Sequence, residues 1–151
     1  MPRSIHEQLR LDLGDFGKKV ASEIKETAPN IQVRAGVAEV PYPEDSNVTT
    51  ADVAITHELG LGVPARPFLS TVFYKNINAY QNKIIAQLRS SDTVAVFQRT
   101  GVKIQNDIQN SILSGGWQPN SKATIENSGD AGKKPLIDTG LLLRSITWEI
   151  V

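Results

Sequence analysis

The chain has 151 residues, no cysteine, and sixteen Lys and Arg side chains against sixteen Asp and Glu. Its length predicts one domain, residues 1–151, with one core, and the lack of cysteine excludes a disulfide scaffold and every thiolate metal site. Neutrality argues against free-standing duplex DNA binding, no run approaches the ~18 apolar residues of a membrane span, and the N-terminus lacks the apolar stretch of a signal peptide.

Ile5, Leu9, Leu13, Phe16, Val20 and Ile24 recur at steps of three or four. They predict an amphipathic helix over residues 4–27, stopped at Ala28-Pro29-Asn30. The period then changes to two. Ile31, Val33, Ala35 and Val37 alternate with polar or small residues and read as a strand. Residues 39–50 contain Pro41 and Pro43 and read as a loop. Val53, Ile55 and His57 alternate again and predict a second strand, giving an antiparallel hairpin over residues 31–58.

Gly60 to Pro67 reads as an ordered turn, with Pro67 opening a helix. Leu69, Val72, Phe73, Ile77, Tyr80, Ile84 and Leu88 predict that helix over 67–89. Ser90-Ser91-Asp92 breaks it and supplies an N-cap for the next. Val94, Phe97, Gly101, Ile104, Ile108 and Ile112 predict a helix over 92–114, ended by Gly115-Gly116. Residues 67–114 form either a helical hairpin or one long kinked rod. Ser121 caps a short helix through Glu126, and residues 127–134 read as a mobile loop. In the closing segment, 135–151, Asp138 or Thr139 caps a turn over Leu141–Arg144. Ile146, Trp148 and Ile150 then alternate as a strand that needs a sheet partner. The expected fold is α+β: a small antiparallel sheet of about three strands, including the C-terminal one, packed against an N-terminal helix and a long helical region.

Several short motifs carry a chemical suggestion. Leu136-Ile137-Asp138-Thr139-Gly140 has the form of an aspartic protease loop. Such chemistry needs two carboxylates sharing a proton, and this chain has one copy with little sequence after it. Helix capping by Asp138 or Thr139 with a glycine turn accounts for the same residues. His57-Glu58 lacks the second histidine of a zinc protease, because residue 61 is Leu. Gly129 to Lys134 has the wrong spacing for a phosphate loop, and Gly60-Leu61-Gly62 lacks the third glycine of a dinucleotide site. No catalytic, cofactor or metal residues are expected. Lys75, Lys83, Arg89, Arg99 and Lys103 make the 67–114 region basic, which leaves a weak DNA contact as an alternative to plain solvated helix faces.

Three stretches in order carry a resemblance. They are Ala54 to Gly60 with Val63-Pro64-Ala65-Arg66-Pro67-Phe68-Leu69; Trp117 to Ile125; and Lys134 to Ile146. Together they resemble the virion morphogenesis proteins of Mu-like tailed phages and prophages, and the related tail-completion or neck proteins. The motif-bearing part spans about residues 52–151; Asn120 stands where that family usually has Leu.

The resemblance implies a structural, non-enzymatic virion protein of the head–tail junction or tail top, assembled in the bacterial host cytoplasm. It also implies assembly into a ring, commonly hexameric. Its neighbours would be further copies of itself and head-connector or tail-tube proteins, with DNA at most a weak lumen contact and no membrane. Arg66, Phe68, Trp117 and Arg144 are the candidate contact residues, and Pro64, Pro67, Asp138, Thr139 and Gly140 fix turns. Arg66, held between prolines, suits either a neighbour's carboxylate or a local loop carbonyl. Trp117 suits either the core or an interface. The competing expectations are a phage protease or lysis hydrolase using Asp138, and a DNA-contacting accessory protein.

Charge is also unevenly distributed. Residues 31–65 carry one basic and five acidic side chains, and residues 66–116 carry six and two. Two opposed blocks of this kind can orient a neighbouring copy or pair within one chain.

Overall fold

The computed structural model describes residues 31–88, 92–137 and 139–151. The expected helix over 4–27, the break at Ser90-Ser91, Arg89 and the cap at Asp138 lie outside the described residues.

The element order is β1 (Val33–Val37), α1 (Thr50–Leu59), α2 (Phe68–Leu88), α3 (Thr93–Leu113), α4 (Lys122–Gly132), α5 (Leu141–Arg144) and β2 (Ile146–Ile150). The architecture is mixed helix and strand, as the sequence suggests, but among the described residues the sheet has two strands. β1 pairs antiparallel with β2, in the register Val33↔Ile150, Ala35↔Trp148 and Val37↔Ile146.

The expected strand over Val53, Ile55 and His57 is instead helix α1, so the hairpin over 31–58 does not form. Capping explains the difference. Thr49 accepts from the Asp52 N–H while the Asp52 carboxylate accepts from the Thr49 N–H, a reciprocal box that starts a helix. Gly60 closes it in the left-handed conformation, at φ 69°. A Cβ on Gly60 would also stand 3.0 Å from Ala65, so the return of the chain needs glycine there.

Residues 39–49 form the expected loop, and it is internally bonded. Thr50 Oγ1 donates to the Ala38 carbonyl and accepts from the Val40 N–H, and Pro41 bridges Thr49. The segment read as a loop at 127–134 mostly continues α4, which is interrupted at Gly129 (φ 59°, ψ −136°).

α2 and α3 form a helical hairpin. Tyr80 Oη donates to Asp107 Oδ2 at 2.6 Å, and Arg99 reaches back to Gln87. Burial and the Asp107 carboxylate both raise the Tyr80 pKa above the ordinary phenol value. Asp92 caps α3 by accepting from the Ala95 N–H.

The core lies between this hairpin, α1 and the sheet. Phe68, Val96, Ile108, Ile112 and Ile146 are all buried to 1% exposure or less. Val33, Ala35, Val37 and Ile150 pack against this interior. Trp148 lies on α3, its indole set against Gly101. A Cβ at that position would fall 2.3 Å from Trp148 Cε3. Glycine in mid-helix costs roughly 1 kcal/mol against alanine, and here the bare backbone gives the indole its seat.

Gly101→Ala is therefore expected to destabilise the protein by about 1–3 kcal/mol through overpacking, despite its better helix propensity. Urea unfolding measures it. Adding Trp148→Leu to Gly101→Ala should recover part of the loss; a Gly101→Ala protein at least as stable as wild type would show the indole is not held there.

Candidate functional site

The motif-bearing stretches meet around the turn between α1 and α2. Arg66 stands on this turn and is 1% exposed. Its guanidinium donates through Nε to the Gln118 carbonyl at 2.8 Å and through Nη2 to the Pro119 carbonyl at 2.9 Å. Nη1 meets His57 Nδ1 at 3.0 Å. A guanidinium has no acceptor, so His57 Nδ1 accepts and the imidazole is neutral with its proton on Nε2. The Arg66 N–H also donates to the His57 carbonyl at 2.7 Å. Arg66 thus fastens α1 to the segment leading into α4.

Glu58, the next residue along α1, has a separate task. Its two carboxylate oxygens accept from the Leu69 N–H (3.1 Å) and the Ser70 N–H (2.8 Å). These are unpaired donors of the first turn of α2, where the helix dipole also favours negative charge. The expected opening of α2 at Pro67 is close to what forms: the Pro67 carbonyl accepts the first helical bond, from Thr71. Pro64 lies exposed in the same turn.

Of the two settings open to Arg66, the structure gives the local one, on loop carbonyls of its own chain. Phe68 is completely buried. Both therefore face the chain's own interior and, as placed, offer no surface to a partner. Trp117 is half-buried against the core and donates its indole N–H to the Ser111 carbonyl at 3.0 Å. Arg144 is exposed and reaches the Thr139 carbonyl at 3.4 Å.

In the third stretch Leu136 is buried at a φ of 68°, a left-handed backbone that a branched side chain rarely takes. Thr139 Oγ1 accepts from the Leu141 N–H, and Gly140, at φ 72°, precedes α5. α5 packs on α1. Asp138, on which a protease reading depends, lies outside the described residues.

Among the described residues no group of three or more His, Asp or Glu stands where it could hold a metal ion, and no helix is long and apolar enough to cross a membrane. Lys75, Lys83 and Arg99 are exposed on the α2–α3 hairpin, while Lys103 is paired with Asp107. Among the described residues no ion pair joins the acidic 31–65 block to the basic 66–116 block. The pairs formed there are Arg34–Glu149 and Lys103–Asp107. No family model, curated protein or solved structure matches this chain.

Burial, and after it the adjacent Arg66 charge, hold the His57 pKa below the ordinary imidazole value of 6.5. The unfolded chain then takes up a proton that the folded chain refuses. The stability this contributes is complete above pH ~6.5 and is lost as the pH falls through that value toward the lower folded pKa. Thermal unfolding followed from pH ~7.5 down to ~5 should show a falling midpoint, with a shallower slope in His57→Gln, which keeps an acceptor for Arg66 and removes the titration. An unchanged slope in His57→Gln would assign the acid sensitivity elsewhere. Arg66→Met leaves two loop carbonyls without their donors and is expected to cost roughly 2–4 kcal/mol in urea unfolding. Arg66→Lys should recover little, since one ammonium cannot reproduce the planar fork.

Proposed function

We propose that the chain is a structural subunit of a tailed-phage neck or tail top, acting in virion morphogenesis by closing into a ring and not by chemistry. One observation carries the reading. The zinc-protease-like pair His57-Glu58 and the candidate contact residue Arg66 are engaged in holding the fold. His57 accepts from Arg66, Glu58 caps α2, and Arg66 grips the Trp117–Pro119 segment. These are residues of the first two stretches that resemble Mu-like virion morphogenesis and tail-completion proteins. The third stretch joins the same body through Leu136, Leu142 and Ile146, which share one buried cluster with Ala54 of α1 and Phe68 of α2. A motif set that knits a scaffold suits a protein whose output is its shape.

The charge arrangement supports the same reading. The acidic and basic blocks have opposite sign and no ion pair between them among the described residues. Their exposed members, Glu39, Glu44 and Asp45 against Lys75, Lys83 and Arg99, are placed to bias the approach of a neighbouring copy, and a head-to-tail interface of that kind closes into a ring when its rotation permits.

Particles assembled without this chain test the role. Electron microscopy should then find full heads and tails lying separately. Complete, infectious particles formed in its absence would overturn the assignment.

A further inference from the structure

Among the described residues the sheet has two strands and so two outer edges, and the phase of the ladder says which backbone groups face them. The Gln32 N–H donates to the Val151 carbonyl and the Val151 N–H to the Gln32 carbonyl, both at 2.9 Å; the Ala38 N–H donates to the Ser145 carbonyl at 2.8 Å. In an antiparallel ladder, successive residues alternate between facing the partner strand and facing away. The N–H and C=O groups of Val33, Ala35 and Val37 therefore face out from β1, and those of Ile146, Trp148 and Ile150 face out from β2. The Ile146 carbonyl is taken by Gln105 Nε2 at 2.7 Å. The outward groups of the other five have no hydrogen-bond partner among the described residues. No proline or bulge interrupts either strand, although such devices commonly keep an edge from pairing.

The two edges also match in charge. On the face turned away from α3, β1 carries Arg34 and β2 carries Glu149, opposite each other at 4.0 Å and both largely exposed. We propose that β2 of one copy adds antiparallel to β1 of the next, so that the sheet runs unbroken from protomer to protomer. Closure into a ring rests on the function proposed above; the pairing of the edges does not.

In the order β1-β2-β1-β2, each Glu149 has an Arg34 on both sides, one from its own chain and one from its neighbour. A two-fold β1–β1 pairing would set Arg34 near its own copy and give Glu149 no second partner, and like charges across strands destabilise a sheet. A neighbour related by a shift along the sheet keeps the strand direction of the first, so the new pairing is antiparallel like the existing one. It also keeps every apolar inward side chain on the helix-covered face. Gln32, Arg34, Thr147 and Glu149 form a polar row on the other.

The chain's lack of cysteine makes a cross-linking test direct. Arg34→Cys and Glu149→Cys are prepared as separate full-length variants, mixed at high concentration, and treated with oxidant or with a short thiol-to-thiol cross-linker that also reaches diagonal neighbours. A covalent dimer is expected from the mixture and from neither variant alone. A dimer from Arg34→Cys alone would mean two-fold pairing, and no dimer in any sample would mean the edges do not meet; either overturns the proposal.

A second measurement leaves the thiols out. Arg34→Glu should weaken self-association in sedimentation, and Arg34→Glu with Glu149→Arg should restore it; equal association of all forms overturns the charge argument. Cross-links in solution together with complete particles formed without the chain would sink the neck role and keep the edge pairing. Absent cross-links with unjoined heads and tails would do the reverse.

Discussion

The buried guanidinium of Arg66 is the interaction on which the arrangement of the other parts turns. α1 ends, the chain reverses through a proline-flanked turn, and α2 begins within a few residues. The segment after α3 must then come back to the same place. Arg66 does this with three donor nitrogens aimed at two carbonyls and an imidazole. Burying a charge is costly unless its hydrogen bonds are met, and a planar fork of donors meets them at fixed angles. Replacing it with an aliphatic side chain of similar length would remove the charge and strand the carbonyls. Such a group contributes definition more than net stability: one arrangement of the 117–119 segment satisfies it, and near alternatives do not.

A second constraint acts where α3 meets the sheet. Trp148 on β2 rests on Gly101 of α3, and Gln105 and Gln109 of the same helix donate to the carbonyls of Ile146 and Leu143. α3 therefore fixes β2 by shape at one point and by a hydrogen bond at another, and holds α5, just before the strand, by a second hydrogen bond. A two-stranded ribbon is marginal in water by itself and draws its stability from the helix beneath it. The position of the edges is thus set by α3 rather than by the strands.

Much of this was readable from residue order, for reasons that differ by element. α2 and α3 carry long stripes at helical spacing, and both form within a residue or two of the expected bounds. β2 and the short α5 follow their patterns closely. α1 misleads because Val53, Ala54 and Ile55 are apolar in succession, so neither period dominates. The informative signals there were Thr49 with Asp52 at the start and Gly60 at the end. At the site, the turn holding Arg66 was legible from its prolines, and its setting on loop carbonyls was one of two alternatives. The partners were not legible, because Gln118 and Pro119 contribute main-chain carbonyls, which every residue possesses. The seat of Trp148 on Gly101 was hidden for a similar reason: a missing side chain leaves no mark of what occupies its space.

The register that pairs Val33 with Ile150 places nearly the whole described chain between two neighbouring strands. The α2–α3 hairpin is local and can form early. The sheet must wait for the closure of a very long loop, which slows folding. A chain whose synthesis halts before residue 146 would hold most of its helices but lack its sheet. The pairing of β1 with β2 thus ties residues 33–37 to residues 146–150, and a chain cut between them leaves β1 without the strand it pairs with.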